Sequence, residues 1–422
     1  MDGEVGLGEV LVAAEQAPPV RSVDVVARNL EKRFGATGVS FLLVDLVGEQ
    51  LVRLTSTDEP GARVPERISL PGSAYDEVLR TQRPHRGVTG SDGTWVVLPV
   101  TNRGDCLGVL EMTVPSLDES TLAQLGEAAH ALAYIIVTDR RFTDLYHSGR
   151  RTTGMSLAAE IQHQLLPSAS CCEAAQFTVA GGLVPADDIG GDTYDYALDH
   201  DVLHLSITDA VGHDVASALT ATLLTAALRG ARRSECELVD QAQRANQALL
   251  DHGRSALATG LLLCVQLDQE QVEVVNAGHP RPLLLRDGVV EPVPLEVDLL
   301  FGVSPETRYR AQTLDLRPGD RLVLLTDGMI EREAAHADLA GLIRDTDRLH
   351  PREVVRALTG AVRQACRGHL RDDATVLCLD WHGTHRTDRR AGTGADTDTA
   401  SPFQRHAHEG AGGPPDPSRW TG

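Results

Sequence analysis

Apolar positions along this chain change their period as the sequence advances. From Val23 to Phe34 they recur at helical spacing, and Val39 to Leu46 follows as a strand-like run. Leu51 to Thr55 continues as strand, and Ala74 to Thr81 returns to a helical pattern. Trp95 to Val100 and Leu107 to Val114 flank the polar turn Thr101-Asn-Arg-Gly-Asp105, which predicts an antiparallel hairpin. Leu122, Leu125, Ala129, Leu132 and Ile136 then step by threes and fours, predicting a long helix. Such a stripe serves either to pack the helix on its own sheet or to form a parallel dimer seam, and so few positions suit both. Gly149 and Gly154 weaken the helical pattern. Leu157, Ile161 and Leu165 form a short apolar face that stops at Pro167. From about residue 176 to 382 the pattern becomes many strands with a few helices.

The organisation predicted is therefore α+β. Residues 1–20 form a flexible N-terminus, 21–140 a compact α/β domain, 141–175 a helical linker and 176–382 a second, strand-rich domain. Residues 383–422 are rich in Thr, Arg, His, Gly, Pro and Asp with few aliphatics, and read as a disordered tail.

Composition narrows the function. The hydrophobic fraction is 42% but aromatics are only 4%, so Leu, Val and Ala do most of the packing. A net charge of -21 argues against nucleic acid or an anionic membrane surface as the main partner, because both repel it. Lys32 is the only lysine. The cysteines number 7 and form no CxxC pair, which reads as reduced thiols in a cytoplasmic protein. Cys264 and Cys378 lie in apolar runs and act as small hydrophobes. No signal peptide and no membrane span are expected.

Candidate chemistry lies in acidic residues placed alike at strand ends and tight turns. Asp192 follows Gly190-Gly191, and Asp209 ends the run Val202-Leu-His-Leu-Ser-Ile-Thr208. Asp327 ends Arg321-Leu-Val-Leu-Leu-Thr326, and Asp372-Asp373 precedes the strand Ala374 to Leu379. Singly, each is a turn or capping residue. Together they suggest one metal site, since hard cations such as Mg²⁺ and Mn²⁺ take oxygen ligands. Two such ions roughly 3.5–4 Å apart are a common device for hydrolysing phosphate esters.

Five motifs stand in order: Ile189-Gly-Gly-Asp-x-Tyr-Asp195, Asp209-x-x-Gly-His213, Asn276-Ala-Gly-His-Pro280, Leu325-Thr-Asp-Gly-Met329 and Asp372-Asp-x-Thr375. Over residues 155–382 the chain thereby resembles the metal-dependent (PPM, protein phosphatase 2C-like) phosphatases, in their sporulation-phosphatase-E-like bacterial branch. The resemblance implies an α-β-β-α sandwich of two antiparallel sheets with a binuclear Mn²⁺ or Mg²⁺ centre at one edge. It makes Asp209 the bridging ligand and the carbonyl of Ala210 a further contact. It makes Asp327 and Asp372 ligands of one metal, and Asp192 the acidic residue of the first motif. Asp373 is read as a supporting or turn residue.

The implied reaction is hydrolysis of phosphoserine or phosphothreonine by metal-activated water, without a protein nucleophile. His213 serves either as acid for the leaving hydroxyl or as a structural histidine beneath the metal turn. His279 reads as structural. No arginine stands beside Asp192 to clamp a phosphate, which leaves that charge to the metals. By resemblance, the partner is a phosphorylated protein such as an anti-sigma-factor antagonist.

Residues 21–140 resemble a GAF sensor domain, mainly through Val97-Leu-Pro-Val-Thr-Asn-Arg-Gly-Asp-Cys-Leu-Gly-Val-Leu-Glu-Met112. No residue there selects a ligand. In this family such a domain commonly regulates the attached phosphatase, with the linker as the route for coupling and for homodimer formation. The competing reading is a catalytically silent signalling adaptor of the same fold; it is disfavoured because each proposed ligand carboxylate is present.

Overall fold

The computed structural model describes residues 7–54, 66–89, 93–152, 154–186, 190–212, 215–253 and 256–384. They form two compact units that divide between Gly154 and Met155.

The first unit runs α1 (Leu7–Glu15), α2 (Ser22–Phe34), β1 (Thr37–Val44), β2 (Gln50–Leu54), β3 (Arg67–Ser69), α3 (Ala74–Thr81), β4 (His85–Thr89), β5 (Gly93–Asn102), β6 (Asp105–Val114), α4 (Glu119–Asp139) and α5 (Leu145–Gly149). Its strands make one antiparallel sheet in the order β3-β2-β1-β6-β5-β4. Strand alternation sorts neighbouring residues to opposite faces. Phe41, Leu43, Val96 and Leu98 pack towards α1, α2 and α4. Leu42, Trp95 and Val97 pack instead against Tyr75, Val78 and Leu79 of α3. Side chains start two of these helices: Ser73 Oγ accepts the Asp76 amide, and Asp118 Oδ1 accepts the Thr121 amide at 2.7 Å.

One expectation is corrected here, and one open alternative is narrowed. The N-terminal segment is not loose throughout: Leu7–Glu15 is helical, and Val10 and Ala14 are buried in the main core. The stripe on α4 is also spent at home. Leu125, Ala129, Leu132 and Ile136 are buried within the unit's own core, so they are not free to form a dimer seam. The segment 141–175 holds α5, whose Tyr146 is buried in the first unit, and then the opening elements of the second.

The second unit runs α6 (Leu157–Leu165), β7 (Cys171–Glu173), β8 (Phe177–Val184), β9 (Asp192–Asp199), β10 (Val202–Ala210), α7 (Val215–Arg233), α8 (Leu238–His252), β11 (Ala258–Gln266), β12 (Gln271–Ala277), β13 (Leu283–Arg286), β14 (Val289–Pro292), β15 (Gln312–Asp315), β16 (Arg321–Leu325), α9 (Leu339–Asp345), α10 (Pro351–Ala365) and β17 (Ala374–Trp381). Two antiparallel sheets result, ordered β15-β12-β11-β10-β9 and β14-β13-β16-β17-β8-β7.

The central strands are apolar on both faces because both faces are covered. Leu261, Leu263 and Val265 of β11 meet Leu322, Leu324, Leu377 and Leu379 of the other sheet in the inter-sheet core. Leu262 and Cys264 turn outward onto α7 and α8, and Val323, Val376 and Cys378 turn outward onto α9 and α10. Helix, sheet, sheet and helix thus form four layers. Among the described residues, no helix is long and apolar enough to cross a membrane.

Candidate active site

The inner rows of the sandwich change character at one end. In β10, Leu203, Leu205 and Ile207 face the opposite sheet, and Asp209 has the same parity. In β9, Tyr194 faces inward and Asp192 shares its parity. Asp209 pairs across the ladder with Asp192 on one side and with Thr259 on the other. From the second sheet, the row Leu322, Leu324 continues to Thr326, and the row Leu379, Leu377 continues to Thr375 and Asp373. A stripe of leucines therefore ends in carboxylates and hydroxyls.

Asp192 is 2% exposed. Its Oδ2 accepts hydrogen bonds from Thr326 Oγ1 and Thr375 Oγ1, each at 2.7 Å. Thr326 Oγ1 in turn accepts the Thr375 amide at 3.0 Å. Asp373 is the anchor of the floor. Its Oδ1 accepts the Ala186 amide at 2.9 Å, and its Oδ2 accepts Gln162 Nε2 at 2.6 Å and the Gly191 amide at 3.2 Å. Gln162 Nε2 also reaches the Asp192 carbonyl at 2.8 Å.

Two glycines allow this convergence. A Cβ on Gly191 would lie 2.6 Å from the Ala210 carbonyl, and one on Gly328 would collide with the Asp373 carbonyl. Asp327 opens a 3-10 turn, Asp327–Met329, held by the Met329 amide on the Thr326 carbonyl.

The electrostatics show that these groups share one field. Burial, then Asp327, Asp372, Asp373 and Glu331, push the Asp209 carboxyl up to about 7. Burial, then Asp209 and Asp373, drive Asp192 well above the usual carboxylate range. Burial, then Asp327, raises Asp372, against a small opposing effect from Arg332. Burial also raises Asp373. The donors are all oxygens, and their shared negative potential fits a hard dication. Among the described residues, no three acidic, imidazole or thiol groups close on one point at metal-holding distance. Like-charge repulsion opposes a tighter approach by the carboxylates alone.

Of the sequence candidates, Asp192, Asp209, Ala210, Asp327 and Asp372 gather at this end. Ala210 is buried, its amide bonded to the Gly191 carbonyl. His213 lies outside the described residues, as does Ile189 of the first motif. His279 is buried and holds Thr259 Oγ1 through Nδ1 at 2.8 Å, while Asn276 brackets its backbone. Burial pushes its imidazole down to about 3, so it is neutral. Thr326 and Thr375 stand inside the quoted motifs, but only the neighbouring acids drew notice. Gln162 carries no local signal at all. Arg332 and Arg371 line a cleft with Asp327 and Asp372; no arginine flanks Asp192 in the sequence, and these two reach the acidic end through other turns.

Residues 199–382 match the family described as Stage II sporulation protein E (SpoIIE). The chain is 22% identical over 286 residues to phosphoserine phosphatase RsbU of Bacillus subtilis, spanning 64% of this chain and 83% of that protein. It is 24% identical over 206 residues to phosphoserine phosphatase RsbP of the same organism, but spans only 50% of it. A solved structure, the RsbU and RsbW domains of Rv1364c from Mycobacterium tuberculosis, aligns with a TM-score of 0.43 at 24% identity, covering 52% of this chain and 62% of that one. The match to the SpoIIE family falls wholly within the second unit.

Proposed function

We propose that the second unit hydrolyses phosphoserine and phosphothreonine on a protein substrate with the help of Mn²⁺ or Mg²⁺. One observation carries the reading: acids from separate segments meet at a sheet end, where burial first and then the neighbouring acids push Asp209 up to about 7. The names of RsbU and RsbP support the substrate class.

Asp192, Asp209, Asp327 and Asp372, with the Ala210 carbonyl, would hold the cations. Bound there, divalent cations make a water more acidic and neutralise phosphoryl oxygens. The protein's own part is positional. Thr326 and Thr375 fix Asp192, and Asp373 with Gln162 ties the Asp192 turn to the start of β17. His213, in the segment after Asp209, is the proposed proton donor to the leaving hydroxyl.

The first unit acts as a GAF-type sensor. A six-stranded antiparallel sheet with helices on both faces supports this reading. An anti-sigma-factor antagonist is the proposed partner, a reading that rests on the motif resemblance to the sporulation-phosphatase-E-like branch. The test is hydrolysis of p-nitrophenyl phosphate and of a phosphoserine peptide by the full chain, with Mn²⁺ and then with chelator. Turnover that chelation removes is expected. Silence with every divalent metal overturns the assignment and leaves the adaptor reading.

A further inference from the structure

We propose that Arg332, assisted by Arg371, binds the phosphoryl oxygens of the substrate and so sets its affinity; this rests on the phosphatase reading above. Both arginines line the cleft that Asp327 and Asp372 also line. They come from different segments: Arg332 begins the 3-10 helix Arg332–His336, and Arg371 immediately precedes Asp372.

Charge accounting sets these two apart from five other arginines of the unit. Arg321 is locked on Asp380 at 2.6 Å, and Arg286 is locked on Asp320. Arg229 and Arg232 share Asp195 at 3.0 and 3.1 Å, and Arg310 holds Asp298 at 2.6 Å. Among the described residues, Arg332 makes no ion pair and donates no side-chain hydrogen bond. Arg371 has one loose ion pair, to Glu333 at 3.7 Å, and its side chain is 71% exposed. In a chain of net charge -21, these two guanidinium groups stand in a cleft that Asp327, Glu331, Glu333 and Asp372 also line.

The backbone adds a separate observation. Arg332 has φ 53°, the left-handed region that non-glycine residues seldom occupy. Such strain persists where the surrounding structure over-determines it, and it clusters at functional sites. A phosphomonoester entering this cleft meets repelling carboxylates. A guanidinium answers that repulsion with paired N–H donors matched to phosphate oxygens. The competing role for Arg332 is counter-charge to Asp372, whose carboxyl it opposes.

The experiment uses the full chain as wild type, Arg332→Ala, Arg332→Lys and Arg371→Ala. It reads KM for a phosphoserine peptide, inhibition by inorganic phosphate, and the Mn²⁺ concentration giving half-maximal turnover. Arg332→Ala is expected to raise KM and the phosphate inhibition constant about tenfold, more than it lowers kcat. Arg332→Lys should recover part of that loss, and Arg371→Ala should give a smaller rise. A shifted Mn²⁺ midpoint with unchanged KM and phosphate inhibition overturns the proposal in favour of the counter-charge role. Calorimetric titration of inorganic phosphate in Mn²⁺ reads the same clamp without turnover. Equal phosphate binding by wild type and Arg332→Ala overturns it even if the peptide is not hydrolysed, whereas absent hydrolysis alone refutes only the phosphatase reading.

Discussion

Glu111 in the first unit and Asp192 in the second are both withdrawn from water, at 7% and 2% exposure, yet they are treated oppositely. Glu111 is neutralised on the spot. The Arg53 guanidinium pairs with its Oε1, and the Tyr75 hydroxyl donates to its Oε2 at 2.6 Å. Asp192 receives only two neutral hydroxyls and faces Asp209 across the ladder. A buried charge with its own cation is finished architecture. A buried charge with another negative group opposite is destabilising unless something positive arrives. The contrast locates the site without reference to any motif.

The sharpest way to break the contrast is Asp209→Asn. It should reduce Mn²⁺-dependent hydrolysis by about a thousandfold, because it removes the central acid of the set. The same change should raise the melting temperature of the chelated protein by relieving repulsion. Retained activity in a phosphatase assay would sink the assignment of Asp209.

Glu111→Ala tests the other half. It removes the acceptor of the Tyr75 hydroxyl and leaves Arg53 only the more exposed Glu66, and should cost about 3 kcal/mol of stability by urea unfolding. The metal midpoint should stay where it is. Thr326→Val comes next in size. It removes one donor to Asp192 and unpairs the Thr375 amide, and should weaken apparent Mn²⁺ affinity about tenfold. An unmoved Mn²⁺ titration would show that the hydroxyl does not orient the acid.

The smallest effect is a pH slope. The Asp209 carboxyl is raised in the folded state to about 7, so its contribution favours folding at low pH and is lost as pH rises through that value. The chelated protein should therefore gain stability as pH falls from about 8 to about 6.5. Saturating Mn²⁺ should flatten the slope, and Asp209→Asn should do the same without metal. A slope of equal steepness in all three samples would mean that other groups set it.

Much of the second unit was legible because its central strands are short, nearly continuous apolar runs bounded by turn residues. Leu261 and Leu263 against Leu262 and Cys264 announce a strand covered on both faces. The acids were legible because each closes or opens such a run. Gln162 was not, since its partner Asp373 lies 211 positions away and nothing local marks the pairing. The guanidinium groups in the cleft were equally hidden: proximity to Asp327 and Asp372 comes from the turns, not from the neighbourhood of Asp192. The stripe on α4 was visible but ambiguous, because periodicity states that a face is buried without naming what covers it. Helix α1 was underestimated for a related reason. Its apolar residues gain their value from α2 and α4, which no short window contains.

The shared parity of Asp209 with Leu203, Leu205 and Ile207 has a bearing on how this domain can diversify. Adding or deleting one residue anywhere in that strand would swing the leucines out of the interior and the acid away from its companions in a single event. Inheritance can therefore explore this strand by exchange of side chains but not by change of length, and descendants that assemble the sandwich through it keep a carboxyl group aimed the same way.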